Sequence, residues 1–329
     1  MNGMSRSFRF SVNFSQRQLF TFTRYRRTQC MLQFKSIELT DRDRINPYLA
    51  TQNYRASDLC FTNLYCWGKK FDTQFATTGD WLFIRFKDKN KRNSYLKPIG
   101  TGDIKEGVGI IHEDHQQFDT PFQIRGLTQE MIDEIEAAMP HRFDYKLNRS
   151  VSDYIYAAEK LIHLNGKKLQ SKRNHINRFK RENEWKYKSL TGNPELVKEC
   201  KRMLDKWMDI NIEEKDPSLL YDDFATTLML DNFEYLGLRG GLICVNNEIA
   251  AFAIGEPLTV DTVVVHVEKA FPSIHGAYTI INQQFAENET AGFSYVNREE
   301  DMGIDNLRQA KLSYQPDILL EKFNARIKE

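Results

Sequence analysis

Residues 241–270 read GLICVNNEIAAFAIGEPLTVDTVVVHVEKA, and their pattern decides the fold. Two apolar runs, 241–245 and 249–255, flank Asn246-Asn247. A two-residue hairpin turn needs positive φ at its centre, which Asn tolerates, so the spacing predicts a β-hairpin. The β-branched run 262–267, centred on Val263, Val264 and Val265, predicts a third strand. Working downstream, the chain predicts a loop at 269–275, a helix from Gly276 to about Asn288 and a strand at 293–296. A helix over about 305–312 and a final strand at 318–323 complete this third of the chain.

Upstream of the hairpin the reading is helical. Ser152 is placed to cap a helix over 153–164, ended by Asn165-Gly166. A helix over 168–183 follows. Pro194 suits the first position of a helix reaching about 212, with Val197, Cys200, Leu204 and Met208 on one face. Another runs from 222 to 235 and stops at Gly237. Further towards the start, Ser57 and Asp58 precede a short helix over 59–67. Runs 71–77 and 81–87 flank Thr78-Gly79-Asp80 as a second hairpin, followed by a strand at 95–98, a helix from Asp103, a strand at 122–125 and a helix over 129–139 capped by Thr128. Both ends of the chain thus show hairpin, strand, helix, strand, helix, strand. That shared order divides the chain into two similar lobes: 34–150, and 151–329 with a helical insertion over about 151–237. The fold class expected is α/β (α+β), with mixed, mostly antiparallel sheets flanked by helices.

Composition narrows the function. Of 329 residues, 46 are Lys or Arg and 45 Asp or Glu, a net charge of +1 that excludes a globally basic nucleic-acid-binding surface but not a local patch. No apolar run approaches the ~20 residues that cross a bilayer. The cysteines, Cys30, Cys60, Cys66, Cys200 and Cys244, are odd in number and scattered, which suits reduced thiols in the cytoplasm rather than disulfides or a zinc site. No acid occurs before Ser36, and Arg24, Arg26 and Arg27 cluster. Such a start has the composition of a transit peptide, but it lacks helical periodicity. Residues 1–33 are therefore read as a flexible extension, or one assigned upstream of a start at Met31.

Three segments carry a family resemblance: LIHLNGKKLQSKRNHINRF (161–179), DTVVVHVEKA (261–270) and YVNREEDMGIDNLRQAKLSYQP (295–316). They resemble the family of the C-terminal domain of phosphatidylglycerol lysyltransferase, which is akin to the Fem aminoacyltransferases. The likeness covers about 34–327. It implies tandem GNAT-like acyltransferase lobes and acyl or aminoacyl transfer. The donor would carry phosphate, as aminoacyl-tRNA or acyl-CoA does, and the acceptor would offer an amine or hydroxyl. No tightly bound cofactor is implied. The membrane-spanning half of the lysyltransferases has no counterpart in these 329 residues.

Four groups of residues are placed to do this chemistry. The first is the basic stretch 167–181, with seven Lys or Arg and no acid. Its like charges repel at helical spacing, a repulsion that a phosphate-rich ligand relieves. Lys168, Lys172, Arg173 and Asn174 are the contacts that the resemblance favours. The second is Ser273, His275 and Gly276, in the place where GNAT loops bind pyrophosphate at a helix start. Only Gly276 matches that loop's pattern, which tells against coenzyme A. The third is His266, Glu268 and Lys269. His266 and Glu268, two apart on a strand, are expected on one face as a base and its carboxylate, with Lys269 stabilising an oxyanion. The fourth is Asn297, Arg298, Glu299, Glu300 and Asp301 after a short strand, joined by Arg308 and Lys311 on the next helix. Arg298 would hold a carboxylate or phosphate, and Glu299 or Glu300 would recognise an amine or act as base. The same charges also allow a non-catalytic module that binds RNA or an acidic partner through helix 167–181. His112 and His115 lack a third ligand and the HExxH spacing, so no metal is expected.

Overall fold

The computed structural model describes residues 32–211 and 217–328. The expectations for residues 1–31, Cys30 among them, lie outside the described residues.

In the first lobe, β1 (Lys35–Ser36) leads to α1 (Arg42–Leu49), α2 (Phe61–Cys66) and α3 (Gly68–Phe71). The expected hairpin is β2 (Gln74–Thr78) and β3 (Trp81–Lys87), followed by β4 (Asn93–Tyr95) and β5 (Ile99–Gly100). Then come α4 (Ile104–His115), β6 (Gln123–Leu127), α5 (Gln129–Ala138) and β7 (Phe143–Leu147). Asp103 caps α4 by accepting from Lys105 N, and Thr128 caps α5 by accepting from Met131 N. β4 runs parallel to β6, while the neighbouring ladders are antiparallel.

The chain then leaves this lobe. Residues 153–157 form a strand, β8 (Asp153–Ala157), where a helix over 153–164 is expected; only α6 (Ala158–His163) is helical. Tyr154, Ile155 and Tyr156 are fully buried, and β8 pairs on both sides in the second sheet. Aromatic and β-branched residues favour such a doubly covered strand, and the tertiary ladder overrides a plausible cap. Next are α7 (Gln170–Glu182), β9 (Trp185–Ser189), α8 (Pro194–Asn211), α9 (Pro217–Asp231) and α10 (Phe233–Leu236). β9 is absent from the sequence reading, although its half-buried and exposed positions alternate.

The second lobe follows the expected order: β10 (Arg239–Val245), β11 (Glu248–Pro257), β12 (Thr262–Ala270), α11 (Ala277–Glu289), β13 (Tyr295–Asn297), α12 (Asp305–Leu312) and β14 (Ile318–Leu320). Asn246 and Asn247 adopt φ of 52° and 69°, as the turn requires. β12 runs parallel to β13, the counterpart of the β4–β6 pair. The expected last strand is two: β14 stays here, and β15 (Phe323–Ile327) crosses to the first sheet between β6 and β7.

The sheets therefore read β1-β2-β3-β4-β6-β15-β7 and β14-β8-β13-β12-β11-β10-β9 among the described residues, β5 pairing with β3 off the first path. The exchange is reciprocal. The strand that follows β7 fills the second sheet, and the strand that follows β14 fills the first. The class is the expected α+β one, two mixed and mostly antiparallel sheets flanked by helices. The second sheet packs on both faces. Leu242, Phe252 and Val267 share a core with α2, α8 and α9, while Ile243, Ala253 and Val265 share one with α11.

Exchange makes each sheet depend on the other half of the chain. Ala325, at the centre of β15, is fully buried. Ala325→Asp places an unpaired carboxylate there and is expected to cost about 3 kcal/mol or more. In urea titration followed by probes in both lobes, both should lose structure in one transition at lower denaturant. Two separate transitions would show that the exchange does not couple them.

Candidate functional site

The site is built around an irregularity in β12. Ile254 pairs with Val267 and Gly255 with Val265, so His266 is an extra residue with no partner across the ladder. Such a bulge breaks the two-residue alternation. Val263 and Val265 pack beside Ile280 and Phe285 of α11, whereas Val267 joins the opposite core beside Phe61 and Leu204. His266 and Glu268 accordingly face opposite sides of the sheet, not one side as their spacing suggests. Glu268 accepts from Asn282 Nδ2 of α11 (2.7 Å) and pairs with Arg298. The His266 side chain is 1 % exposed, with Nε2 3.0 Å from Glu256 Oε1 and Nδ1 2.8 Å from Glu299 Oε1. Burial disfavours its charge, but hydrogen bonds to the two carboxylates outweigh that and raise the imidazole to about 9. His266 is thus an imidazolium at neutral pH with both nitrogens engaged. Lys269 does not join it: its ammonium pairs with Asp222 of α9 and lies 4.0 Å from the centroid of Trp207.

The segment 297–303 turns sharply after β13. Asn297 is fully buried; its Nδ2 donates to Arg55 O (2.7 Å) and Asp153 Oδ2 (2.9 Å), and its Oδ1 accepts from Glu299 N (2.7 Å). Glu299 and Met302 hold positive φ, 56° and 52°, a conformation that persists only when its surroundings enforce it. Lys311 enforces it from α12, donating to the carbonyls of Arg298 (2.6 Å) and Glu300. Asp301, fully buried, accepts from Tyr154 Oη (2.6 Å), Arg149 Nη1 (3.1 Å), Arg308 Nε (2.9 Å) and Gly303 N (2.8 Å). Burial would raise this carboxyl, but the bonds from Arg308, Tyr154 and Gly303 hold it down at about 2. Asn297, Asp301, Arg308 and Lys311 do come together, as a frame for the turn rather than as the wall of a groove.

What the frame presents is Arg298 and Glu300. The Arg298 guanidinium lies 4.8 Å from the Tyr314 centroid, and its Nη1 is buried with no acceptor among the described residues. Lys172 of α7 reaches the same ring, at 4.2 Å. Burial, and then the Arg298 charge, push its ammonium below the ordinary lysine range. Glu300 is half-buried. Desolvation raises its carboxyl to about 7 against the pull of Lys322, and Glu299, Asp153 and Asp58 add to the rise.

Sequence reasoning missed the other side of this cluster. Lys322 is 1 % exposed, with Nζ 2.8 Å from Asp153 Oδ1 and 2.5 Å from Asp58 Oδ2. Ser57 donates from N and Oγ to Asp153 (2.8 and 3.0 Å), and Asn63 Nδ2 donates to Glu299 Oε1 (2.8 Å). A lone lysine in an apolar stretch, ILLEKF, was the available signal for Lys322. Asp153 carried none, since after Ser152 it reads as the first turn of a helix.

The donor-side residues divide. Arg173 donates to Leu164 O and Gly166 O (2.8 Å), closing the end of α6. Lys168 and Asn174 are exposed, as are Ser273 and His275. His275 Nε2 lies 2.9 Å from His175 Nδ1 of α7. Gly276 has φ of 85°, and a Cβ there would meet His175 O at 2.9 Å. Glycine lets α7 press on this loop. Elsewhere, in the first lobe, a cavity of about 350 Å³ is lined by Tyr54, Trp81, Lys97, Gly102, Glu130 and Glu134. His112 and His115 sit on α4, and His115 Nε2 is engaged by Thr120 O (2.7 Å).

Two lobes, each with one parallel strand pair in a mostly antiparallel sheet, and a charged turn after the second pair make up the α+β domain that carries the site. The chain matches the model of the family described as "Phosphatidylglycerol lysyltransferase, C-terminal" over residues 50–326, and it belongs to that family. A conserved protein of unknown function from Bacteroides thetaiotaomicron is 40 % identical, with a TM-score of 0.84 over 91 % of this chain and 100 % of that one. The C-terminal domain of a putative lysylphosphatidylglycerol synthetase from Agrobacterium fabrum has a TM-score of 0.61 at 13 % identity, over 88 % and 92 % of the two chains. The L-PGS of Bacillus licheniformis has 0.57 at 16 % identity, over the same shares. These two share the fold. An uncharacterized protein of Mycoplasmoides gallisepticum is 22 % identical over 192 residues, 55 % of this chain and 58 % of that protein's length. Family and fold point to aminoacyl transfer. No helix among the described residues is long and apolar enough to cross a membrane.

Asp301 tests the frame. Its folded-state carboxyl sits below the ordinary 3.8, so the stability it contributes is full above about pH 4 and is lost as pH falls towards 2. Asp301→Asn should lower the melting temperature at pH 7 and shrink the difference between pH 5 and pH 2.5. An unchanged acid limb in thermal scans would mean that the ring of donors around Asp301 does not hold the turn.

Proposed function

We propose that this chain transfers an aminoacyl group from aminoacyl-tRNA to an amine or hydroxyl of an acceptor, with Glu300 as the general base. The observation that carries the reading is Glu300 itself: a half-buried carboxyl near neutrality, two residues from an arginine with a buried N–H to spare. A base works best when its pKa lies near the working pH.

Glu300 takes a proton from the acceptor's ammonium or hydroxyl. The freed lone pair attacks the ester carbonyl that joins the aminoacyl group to the terminal ribose. A tetrahedral oxyanion forms, the ester C–O bond breaks, and the ribose oxygen leaves with a proton returned from Glu300. Arg298 and Lys172, both against Tyr314, supply two positive charges for phosphate or oxyanion. His266 does not act as a base here, because both its nitrogens are occupied; it steadies Glu299, next to Glu300.

RNA is favoured over coenzyme A as the donor by the loop around Gly276. The amides of Ile274 and Ala277 bond within the loop, and α7 crowds Gly276. Two of the N–H groups that a pyrophosphate would draw on are thereby taken up. The exposed basic positions of α7, with Lys172 at their edge, suit a polyanion that extends beyond the reacting ester.

The first test is thermal stabilisation by charged tRNA, uncharged tRNA and acetyl-coenzyme A. Selective stabilisation by charged tRNA is expected. Equal shifts with both RNAs would favour a non-catalytic binding module, and a shift with acetyl-coenzyme A alone would overturn the donor. In a transfer assay, the rate should rise with pH to a plateau above about 7. Glu300→Gln should remove that limb and cost on the order of 10²-fold or more in kcat. Lys172→Ala should weaken donor affinity while leaving the limb in place; unchanged affinity would take Lys172 out of the donor site.

A further inference from the structure

Behind the turn lies a second cluster that the transfer chemistry leaves unused. Cys60 precedes α2, Glu256 lies near the end of β11, and His266 is the bulged residue of β12. One thiol, one carboxylate and one imidazole, from three separate segments, bring their ligand atoms within 4.8 Å of one another. Cys60 is buried, and its Sγ lies 3.4 Å from the Ser57 carbonyl oxygen. We propose that Cys60 Sγ, a Glu256 carboxylate oxygen and His266 Nε2 bind a divalent transition-metal ion of the zinc class, with Glu299 as the carboxylate that positions the histidine.

The donor set is the first argument. Thiolate, imidazole and carboxylate together suit zinc or cobalt and do not suit magnesium or calcium, which take oxygen alone. Orientation is the second. A metal-bound histidine characteristically gives its other N–H to a carboxylate, which fixes the ring and its tautomer. His266 has that arrangement already, with Nδ1 2.8 Å from Glu299 Oε1 and Glu299 tied in turn by Asn63 Nδ2. Nε2 then points at Glu256, 3.0 Å away, where the ion would replace the proton the two share. Three protein ligands leave a fourth position for water.

The placement gives such an ion a structural consequence. It would join the segment before α2 in the first half of the chain to β11 and β12, and through His266 and Glu299 to the turn that carries Glu300. This inference does not rest on the transfer reading, and its test needs no turnover.

The experiment is a titration of the chelator-treated full chain with cobalt(II), followed by absorption, with zinc as competitor. One cobalt per chain and a thiolate-to-cobalt charge-transfer band in the near ultraviolet are expected, the band vanishing when zinc is added. Cys60→Ser should lose the band and bind at least tenfold more weakly. Cys66→Ser, the neighbouring buried thiol, should keep both. Glu299→Gln should keep the band with affinity lowered by about tenfold or more. Thermal unfolding of each variant without metal establishes that it folds. Absence of the band in the parent chain, or its persistence in Cys60→Ser, would overturn the proposal. So would its loss in a folded Cys66→Ser.

Discussion

Lys322 and Asp153 form a buried ion pair at the point where the two halves of the chain trade strands. Asp153 is the first residue of β8, which enters the second sheet, and Lys322 immediately precedes β15, which enters the first. Two buried charges at 2.8 Å are not a strong source of net stability, because desolvation consumes much of their attraction. Their value is specificity. Either charge left alone at less than 2 % exposure would be costly, so the two strand roots are held to one arrangement. Asp58, Ser57 and Asn297 close the knot by satisfying the remaining donors and acceptors.

The site follows from that knot. Asn297, which ends β13, donates to Asp153 and accepts from the amide of Glu299, so the crossing point also fixes the start of the turn. From there the chain must pass through positive φ at Glu299, and Lys311 and Asp301 hold it there. Consecutive residues are sent to different neighbours: Arg298 to Glu268 and Tyr314, Glu299 to His266, Glu300 to the field of Lys322 and its carboxylates. Glu300 owes its raised pKa first to desolvation in this turn, with Glu299, Asp153 and Asp58 adding to the rise. A carboxyl in the same local sequence on an open surface would titrate near 4.3. The strand exchange and the acid–base character of the turn are two consequences of one buried polar arrangement.

Much of the molecule was legible in the sequence. The Asn246-Asn247 hairpin, the valine run of β12, the Pro194 helix and the Thr128 cap are local signals, read from φ tolerance, branching at Cβ and orphan amides. The repeated order of elements announced two lobes, and the acidic and basic run after β13 marked the turn. Legibility stopped where partners are distant in sequence. β8 looks like a capped helix until the ladders of β13 and β14 are present on either side. His266 and Glu268 look like neighbours until a single unpaired residue inverts the face. Cys60 and Glu256 carry no local sign of the company they keep.

What the sequence determined by itself was the set of elements and their order, because hairpins, caps and amphipathic periods depend on residues within a few positions of one another. Only the tertiary structure decided which sheet β8 and β15 complete, which side of β12 each polar residue faces, and which carboxyl is held near neutrality. Those outcomes depend on ladder register, on desolvation and on charges brought within a few ångströms from more than a hundred residues away, none of which is written in any local stretch of the chain.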